Sequence, residues 1–136
     1  MPPETRPERT QRQALAREAA SPRSVARFRL RIHAGDVIAI GPGKVELIEA
    51  IGATGSITEA AKSLGMSYRR AWLLLEELNT MLKQPAVASV KGGVRGGGSE
   101  LTDVGIQLIE LYRQIESTAA RACAADLKRL KGLLAG

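Results

Sequence analysis

Two serines eleven positions apart, with a glycine between them, constrain this chain more than any other feature. Ser56-Ile57-Thr58-Glu59 has the form of a capping box: the serine oxygen accepts the N–H of the third helical residue, and the glutamate reaches back to the serine N–H. The helix started there is short, because Gly65 interrupts the pattern nine residues later and Ser67 can cap another helix. Two helices joined by a turn of about three residues form a helix-turn-helix. In such a pair Ala61 is small where the helices cross, Gly65 permits the sharp turn, and Leu64, Met66, Ala71 and Leu74 hold the two together. The second helix, read from Tyr68 to Leu82, sets Ala71, Leu74, Leu75, Leu78 and Leu82 on one face. It leaves Ser67, Tyr68, Arg69, Leu73 and Glu76 outward.

The surrounding sequence completes one small domain. Aromatic residues are only 3% of the 136, so Leu, Ile, Val and Ala must build the core, which favours helices over a ligand-holding barrel. Residues 1–24 mix Pro2, Pro3, Pro7 and Pro22 with Arg, Glu and Gln without a sustained apolar face. They are expected to be a disordered basic arm, with a short helix near Gln11 to Ala20 as the alternative. From Ala26 to Ala34 apolar residues alternate with Arg27, Arg29, Arg31 and His33, the period of a half-buried strand. Gly35-Asp36 signals a turn and Val37 to Ile40 a second short strand. Gly41-Pro42 then starts a helix carrying Val45, Leu47, Ile48 and Ile51, which Gly52 to Gly55 should end.

Beyond Pro85, Ala86 to Lys91 and Glu100-Leu101 flank the clusters Gly92-Gly93 and Gly96-Gly97-Gly98, a hairpin pattern. From Thr102 the chain reads as one helix of about 30 residues, roughly 45 Å long. Val104, Leu108, Leu111, Ile115, Thr118, Ala122, Ala125 and Arg129 alternate four and three apart, a seam longer than so small a domain can cover. Leu108, Leu111, Ile115 and Ala122 are therefore expected to meet a second copy. The order of elements is that of a winged helix-turn-helix, mainly α with a small β-component and a long C-terminal dimerisation helix. The expected divisions are an arm at 1–24, a winged DNA-binding domain at 25–101 and a dimerisation helix at 102–136.

The formal charge is +6, and a basic balance points to an anionic partner such as nucleic acid. Residues 1–31 hold eight arginines against three glutamates. Residues 60–99 carry a second excess of +4 that includes Lys62, Arg69, Arg70, Lys83, Lys91 and Arg95. In a helix-turn-helix the outward residues of the second helix face a major groove. Arginine there can pair bidentately with guanine, Ser67 and Tyr68 can reach a phosphate or base edge, and Leu73 can meet a thymine methyl. Arg69 is the foremost candidate for base reading. The helix start at Ser56 offers N–H groups to a phosphate, and Lys62, Lys91 and Arg95 would neutralise phosphates at the flanks.

Taken singly, each feature has a plainer reading as a cap, a solvated helix face, a flexible loop or a solvent-facing strand. The glycine clusters are not a nucleotide loop, since a strand rather than a helix follows them. One cysteine, Cys123, and one histidine, His33, make neither an internal disulfide nor a structural zinc site. No nucleophile and base can be paired, so the chain is not read as an enzyme and no cofactor is expected. No apolar run approaches the roughly 20 residues of a membrane span, and Met1 to Arg12 lacks a signal peptide's apolar stretch, so the expected compartment is the cytoplasm.

Gly55-Ser56-Ile57, Ala60-Ala61, Leu64-Gly65-Met66-Ser67-Tyr68, Ala71-Trp72 and Glu77-Leu78-Asn79 together resemble the N-terminal DNA-binding domain of ModE-type molybdate-responsive regulators. Gly92-Gly93, Gly96-Gly97-Gly98 and Leu101-Thr102 with Gly105 are similar to that family's wing and the start of its dimerising helix. The likeness covers roughly residues 25 to 118, and the layout is more distantly similar to the LysR-type winged helix. It implies a homodimeric transcriptional regulator that sets two recognition helices in successive major grooves of a partly palindromic operator. Ser67, Tyr68, Arg69, Arg70 and Trp72 would face the groove, although Trp72 could equally pack against the wing. Full-length members of the family carry a C-terminal molybdate-binding domain. This chain stops at Gly136, so a link to molybdenum homeostasis without direct molybdate binding is expected. Two other readings stay open: an architectural nucleoid-type protein, from the arginine-rich N-terminal region, and a dimerisation partner of a full-length regulator, from the long helix.

Overall fold

The computed structural model describes residues 3, 5–19, 24–91 and 98–135. In chain order they form α1 (Arg6–Ala19), β1 (Ile32–Ala34), β2 (Val37–Ile40), α2 (Pro42–Thr54), α3 (Ile57–Ser63), α4 (Tyr68–Met81), β3 (Val87–Val90), β4 (Gly98–Leu101), α5 (Asp103–Ala122) and α6 (Ala124–Lys131). The chain divides into two compact units, residues 29–117 and residues 1–28 with 118–136.

The unit of residues 29–117 is built on α2. Extended Gly41 precedes the helix and Pro42 occupies its first turn, where a fixed φ suits the helix and the missing N–H costs nothing. Val45, Leu47, Ile48 and Ile51 are completely buried. The helix closes at Gly55, within the stretch from Gly52 expected to end it, and the positive φ of 72° there lets the Gly55 N–H reach the Ile51 carbonyl at 2.7 Å. Gly52, within the helix, leaves room for Leu101: a Cβ there would stand 2.6 Å from Leu101 Cδ1. Ala60, Ala61, Ala71, Leu75, Leu78, Ala86, Val87, Leu108 and Tyr112 complete the core.

β1 and β2 form an antiparallel hairpin, but its ladder begins only at Ile32 and all of β1 is exposed. The half-buried strand expected from Ala26 is therefore shortened, because a two-stranded sheet has no second layer to pack on. Leu30 still packs against the core, and its carbonyl accepts a 2.8 Å hydrogen bond from the Tyr112 hydroxyl, which burial pushes above its ordinary pKa. β3 and β4 pair antiparallel, Val87 with Leu101 through Val90 with Gly98. Three side chains anchor this hairpin and the helix that follows it. Asn79 Oδ1 accepts the Ala86 N–H at 2.9 Å while Asn79 Nδ2 donates to the Val87 carbonyl at 3.4 Å. Thr102 Oγ1 donates to the Pro85 carbonyl at 2.7 Å and accepts the Gly105 N–H at 3.1 Å, capping α5. Arg113 ties α5 to α2 by gripping Glu49, and it also meets Glu116 at 2.6 Å.

The single long helix expected from Thr102 is instead two, interrupted at Cys123 (φ −99°, ψ 6°), so the heptad seam does not run unbroken. Leu108, expected at a dimer seam, lies in the chain's own core, whereas Leu111 and Ile115 are 55% and 48% exposed. In the unit of residues 1–28 and 118–136, the expected disordered arm contains a 14-residue helix. Thr5-Arg6-Pro7-Glu8 is the reason: Glu8 accepts the Thr5 N–H at 2.8 Å and Thr5 Oγ1 accepts the Glu8 N–H at 3.4 Å. Pro7 falls in the first turn, where proline is tolerated. The Thr5 N–H holds the Glu8 carboxyl below its ordinary pKa.

One buried charge spans three elements. Lys44 on α2 is 5% exposed, and its ammonium donates both to Glu77 on α4 and to the Ile38 carbonyl on β2. Glu77 remains 47% exposed, which makes the pair asymmetric: without lysine the carboxylate can hydrate, but without glutamate the ammonium stays buried with a single carbonyl. In urea titrations Glu77→Ala should destabilise by up to about 3 kcal/mol and Lys44→Met by less; the reverse order would refute the asymmetry. A Cβ at Gly105 would stand 2.2 Å from the Ala86 carbonyl oxygen, part of a backbone held by Asn79 and Thr102. Gly105→Ala is expected to cost about 1–3 kcal/mol and more than Gly52→Ala, where the obstacle is a leucine side chain that can turn away. Equal effects in the same titration would argue against a rigid obstacle.

Candidate nucleic-acid interface

α3, the turn and α4 form the helix-turn-helix. Ser56 Oγ accepts the Glu59 N–H at 3.2 Å, as the capping box requires. The reciprocal bond differs from expectation: Thr54 Oγ1 accepts the Ser56 N–H at 3.3 Å, and Glu59 turns to Lys62 at 3.6 Å. Leu64 and Gly65 make the turn, with Gly65 at a φ of 66°. Ser67 Oγ then accepts the Arg70 N–H at 3.1 Å and begins α4. Ala60, Ala61 and Ala71 are buried, letting the two helices approach closely.

This packing turns one end of α4 outward. Ser67, Tyr68, Arg69, Arg70 and Leu73 are all exposed within its first two turns, and the arginines have no carboxylate partner among the described residues. Trp72 lies between the outward face of α4 and the hairpin. It is 44% exposed, and it lines a groove of about 170 Å³ with Ile57 on α3 and Ser89 and Ser99 on the hairpin. Lys91 is exposed just past β3, without a carboxylate partner among the described residues, while Arg95 and the glycines at 92, 93, 96 and 97 lie outside them. Lys62 is exposed on α3 and shares its charge with Glu59. The arrangement thus joins Ser67 to Leu73 on one surface, with Trp72 leading to the hairpin base. Among the described residues no group of three or more His, Cys, Asp or Glu side chains could hold a metal ion, and no helix is long and apolar enough to cross a membrane.

Sequence reading missed the residues that hold this surface in place. Lys44 meets Glu77 from 33 positions away, beyond any local pattern. Asn79 had a weaker signal, an amide side chain near the end of an otherwise apolar and charged helix, but its backbone partners at Ala86 and Val87 follow from the turn that returns them to it.

No protein-family model matches the chain. It is 41% identical over 91 residues to the molybdenum-pterin-binding protein MopB of Rhodobacter capsulatus, covering 67% of this chain and 34% of that protein. It is 35% identical over 114 residues to the molybdenum transport protein ModE of Azotobacter vinelandii, covering 84% and 42%. With the DNA-binding transcriptional dual regulator ModE of Escherichia coli K12 it shares 39% identity over 71 residues, covering 52% and 27%. The aligned parts thus span well under half the length of these relatives. Among solved structures, the CbnR DNA-binding domain in complex with DNA aligns with a TM-score of 0.49 at 24% identity, covering 66% of this chain and 95% of that one. On the sequence matches, and with a helix-turn-helix and a β-hairpin in sequence on α2, the chain is a winged-helix homologue of the ModE, MopA and MopB proteins.

Proposed function

We propose that this chain is a sequence-specific DNA-binding transcriptional regulator that acts as a homodimer and serves molybdenum homeostasis. The observation that carries the reading is the outward end of α4, where Ser67, Tyr68, Arg69, Arg70 and Leu73 stand exposed over a helix pair whose other face is buried. A helix presented in this way enters the major groove with its N-terminal residues at the base edges. Arg69 reads a base, Arg70 and Tyr68 meet the duplex beside it, and Lys91 on the wing neutralises a phosphate. Relatives named as transcriptional regulators support the role, and those named for molybdenum support the link to that metal. A protein that serves chromosomal DNA works in the cytoplasm. The dimer is assigned to α5, whose Leu111 and Ile115 expose apolar surface beside the buried Leu108 and Tyr112.

Selection of bound fragments from a random DNA pool, with and without molybdate, tests the reading. A dyad-symmetric motif that is the same in both pools is expected. Binding without enrichment would replace regulation by sequence-independent coating, and a motif that changes with molybdate would add direct sensing. On the selected site Arg69→Ala should cost about 1–3 kcal/mol and relax preference at one position, while Lys91→Ala should weaken all sequences alike; an Arg69→Ala protein that keeps full discrimination removes Arg69 as reader. In sedimentation, Leu111→Asp with Ile115→Asp should convert a dimer into a folded monomer, because neither side chain belongs to the core. A variant as dimeric as the parent would move the interface elsewhere.

A further inference from the structure

The arginines that alternate ahead of β1 read, in sequence, as a solvent-facing row. The structure brings two of them to the recognition helix. Arg29 and Arg31 line a cleft of about 440 Å³ together with Lys44 and with Arg70 on α4, and the acidic side chains in its lining are Asp36 and Glu77. Lys44 already engages Glu77, whereas Arg29, Arg31 and Arg70 have no carboxylate partner among the described residues. α2 also has no acidic residue in its first turn. The cleft is therefore a place where positive charge is left over.

Its position relative to α4 says what the charge is for. Arg70 and Glu77 also line an adjoining depression with Ser67 and Arg69, so the cleft runs on from the proposed base-reading end. α4 shows Arg70, Leu74 and Glu77 to this cleft and Trp72, Glu76 and Asn79 to the groove beside the wing. Residues two apart on a helix point about 200° apart, so these are opposite flanks. A helix lying in a major groove has a phosphate backbone along each flank, and the wing serves only one of them.

We propose that Arg29, Arg31 and Arg70 form a phosphate clamp that holds the DNA backbone on the side of α4 away from the wing. The inference rests on the DNA-binding reading above and adds a second, sequence-independent contact to it. Each guanidinium can take two phosphate oxygens in parallel hydrogen bonds, and three such groups around one cleft can follow a backbone rather than hold one ion.

The test measures affinity for a random-sequence duplex across a series of chloride concentrations. For Arg29→Gln with Arg31→Gln, the slope of log affinity against log salt should become shallower by about 2, one counterion for each phosphate that is no longer neutralised. The base preference obtained by selection should not change. Arg29→Lys with Arg31→Lys should recover most of the slope, and Lys83→Gln, a charge removed outside the cleft, should leave it unaltered. Identical slopes for parent and glutamine variant would overturn the clamp, as would an equal effect of Lys83→Gln, which would make the contribution one of bulk charge. Inorganic phosphate at matched ionic strength should displace DNA no better than chloride. Selective displacement from the parent but not from the glutamine variant would make the cleft a small-anion site instead. A parent protein that binds no DNA at all would remove the DNA-binding reading along with the clamp, which separates the two failures.

Discussion

Lys44 carries a charge that water hardly reaches, and the arrangement of the winged unit depends on how that charge is satisfied. An ammonium taken out of water is tolerated only with close partners. Its two partners lie on two other elements, Glu77 on α4 and the Ile38 carbonyl on the first hairpin. Sliding or rolling α4 on α2 would therefore break an ion pair as well as the apolar packing among Val45, Ile48, Leu75 and Leu78. The pair ties α4 to α2 and to the first hairpin beside that packing.

The same distinction separates cations paired within the fold from cations that are not. Lys44 meets Glu77, and Arg113 meets Glu49 and Glu116. Arg69, Arg70 and Lys91, with Arg29 and Arg31, have no such carboxylate among the described residues. Lys62 is intermediate, paired at 3.6 Å on a well-hydrated surface, where such a pair contributes little. On the proposed DNA-binding reading such unpaired charge suits a polyanion, because each phosphate contact gains by releasing a counterion without first breaking an internal ion pair.

The wing is joined to this frame through hydrogen bonds to its backbone as well as through the buried Ala86 and Val87 and the half-buried Leu101. Asn79 and Thr102 together hold the turn at Pro85, Ala86 and Val87 to the end of α4 and the start of α5. Gly105 lets α5 pass against the Ala86 carbonyl, and the Ser99 N–H donates to the Gly55 carbonyl at 3.0 Å where α2 ends. The hairpin base is thus set by the ends of α2, α4 and α5, and the exposed Trp72 lines the groove between it and α3.

Local sequence determined the features that depend on near neighbours. Ser56, Gly65 and Ser67 specify two caps and a turn within a dozen residues, and the apolar spacing of α2 and α4 selects their buried faces, because capping and helical period act over a turn or two. The capping box at Thr5 is just as local, and the helix of residues 6–19 begins earlier than the short helix that residues 11–20 suggest as the alternative to a disordered arm. Only the tertiary structure decided the rest. It ended the first strand's ladder at Ile32 for want of a sheet to pack on, drew Leu108 into the core while leaving Leu111 outside, paired Lys44 with a glutamate 33 residues away, and gathered Arg29 and Arg31 beside Arg70. Each of these depends on which elements meet in space, and that is fixed by burial of apolar surface and pairing of buried charge across the whole unit, quantities that no local window of sequence contains.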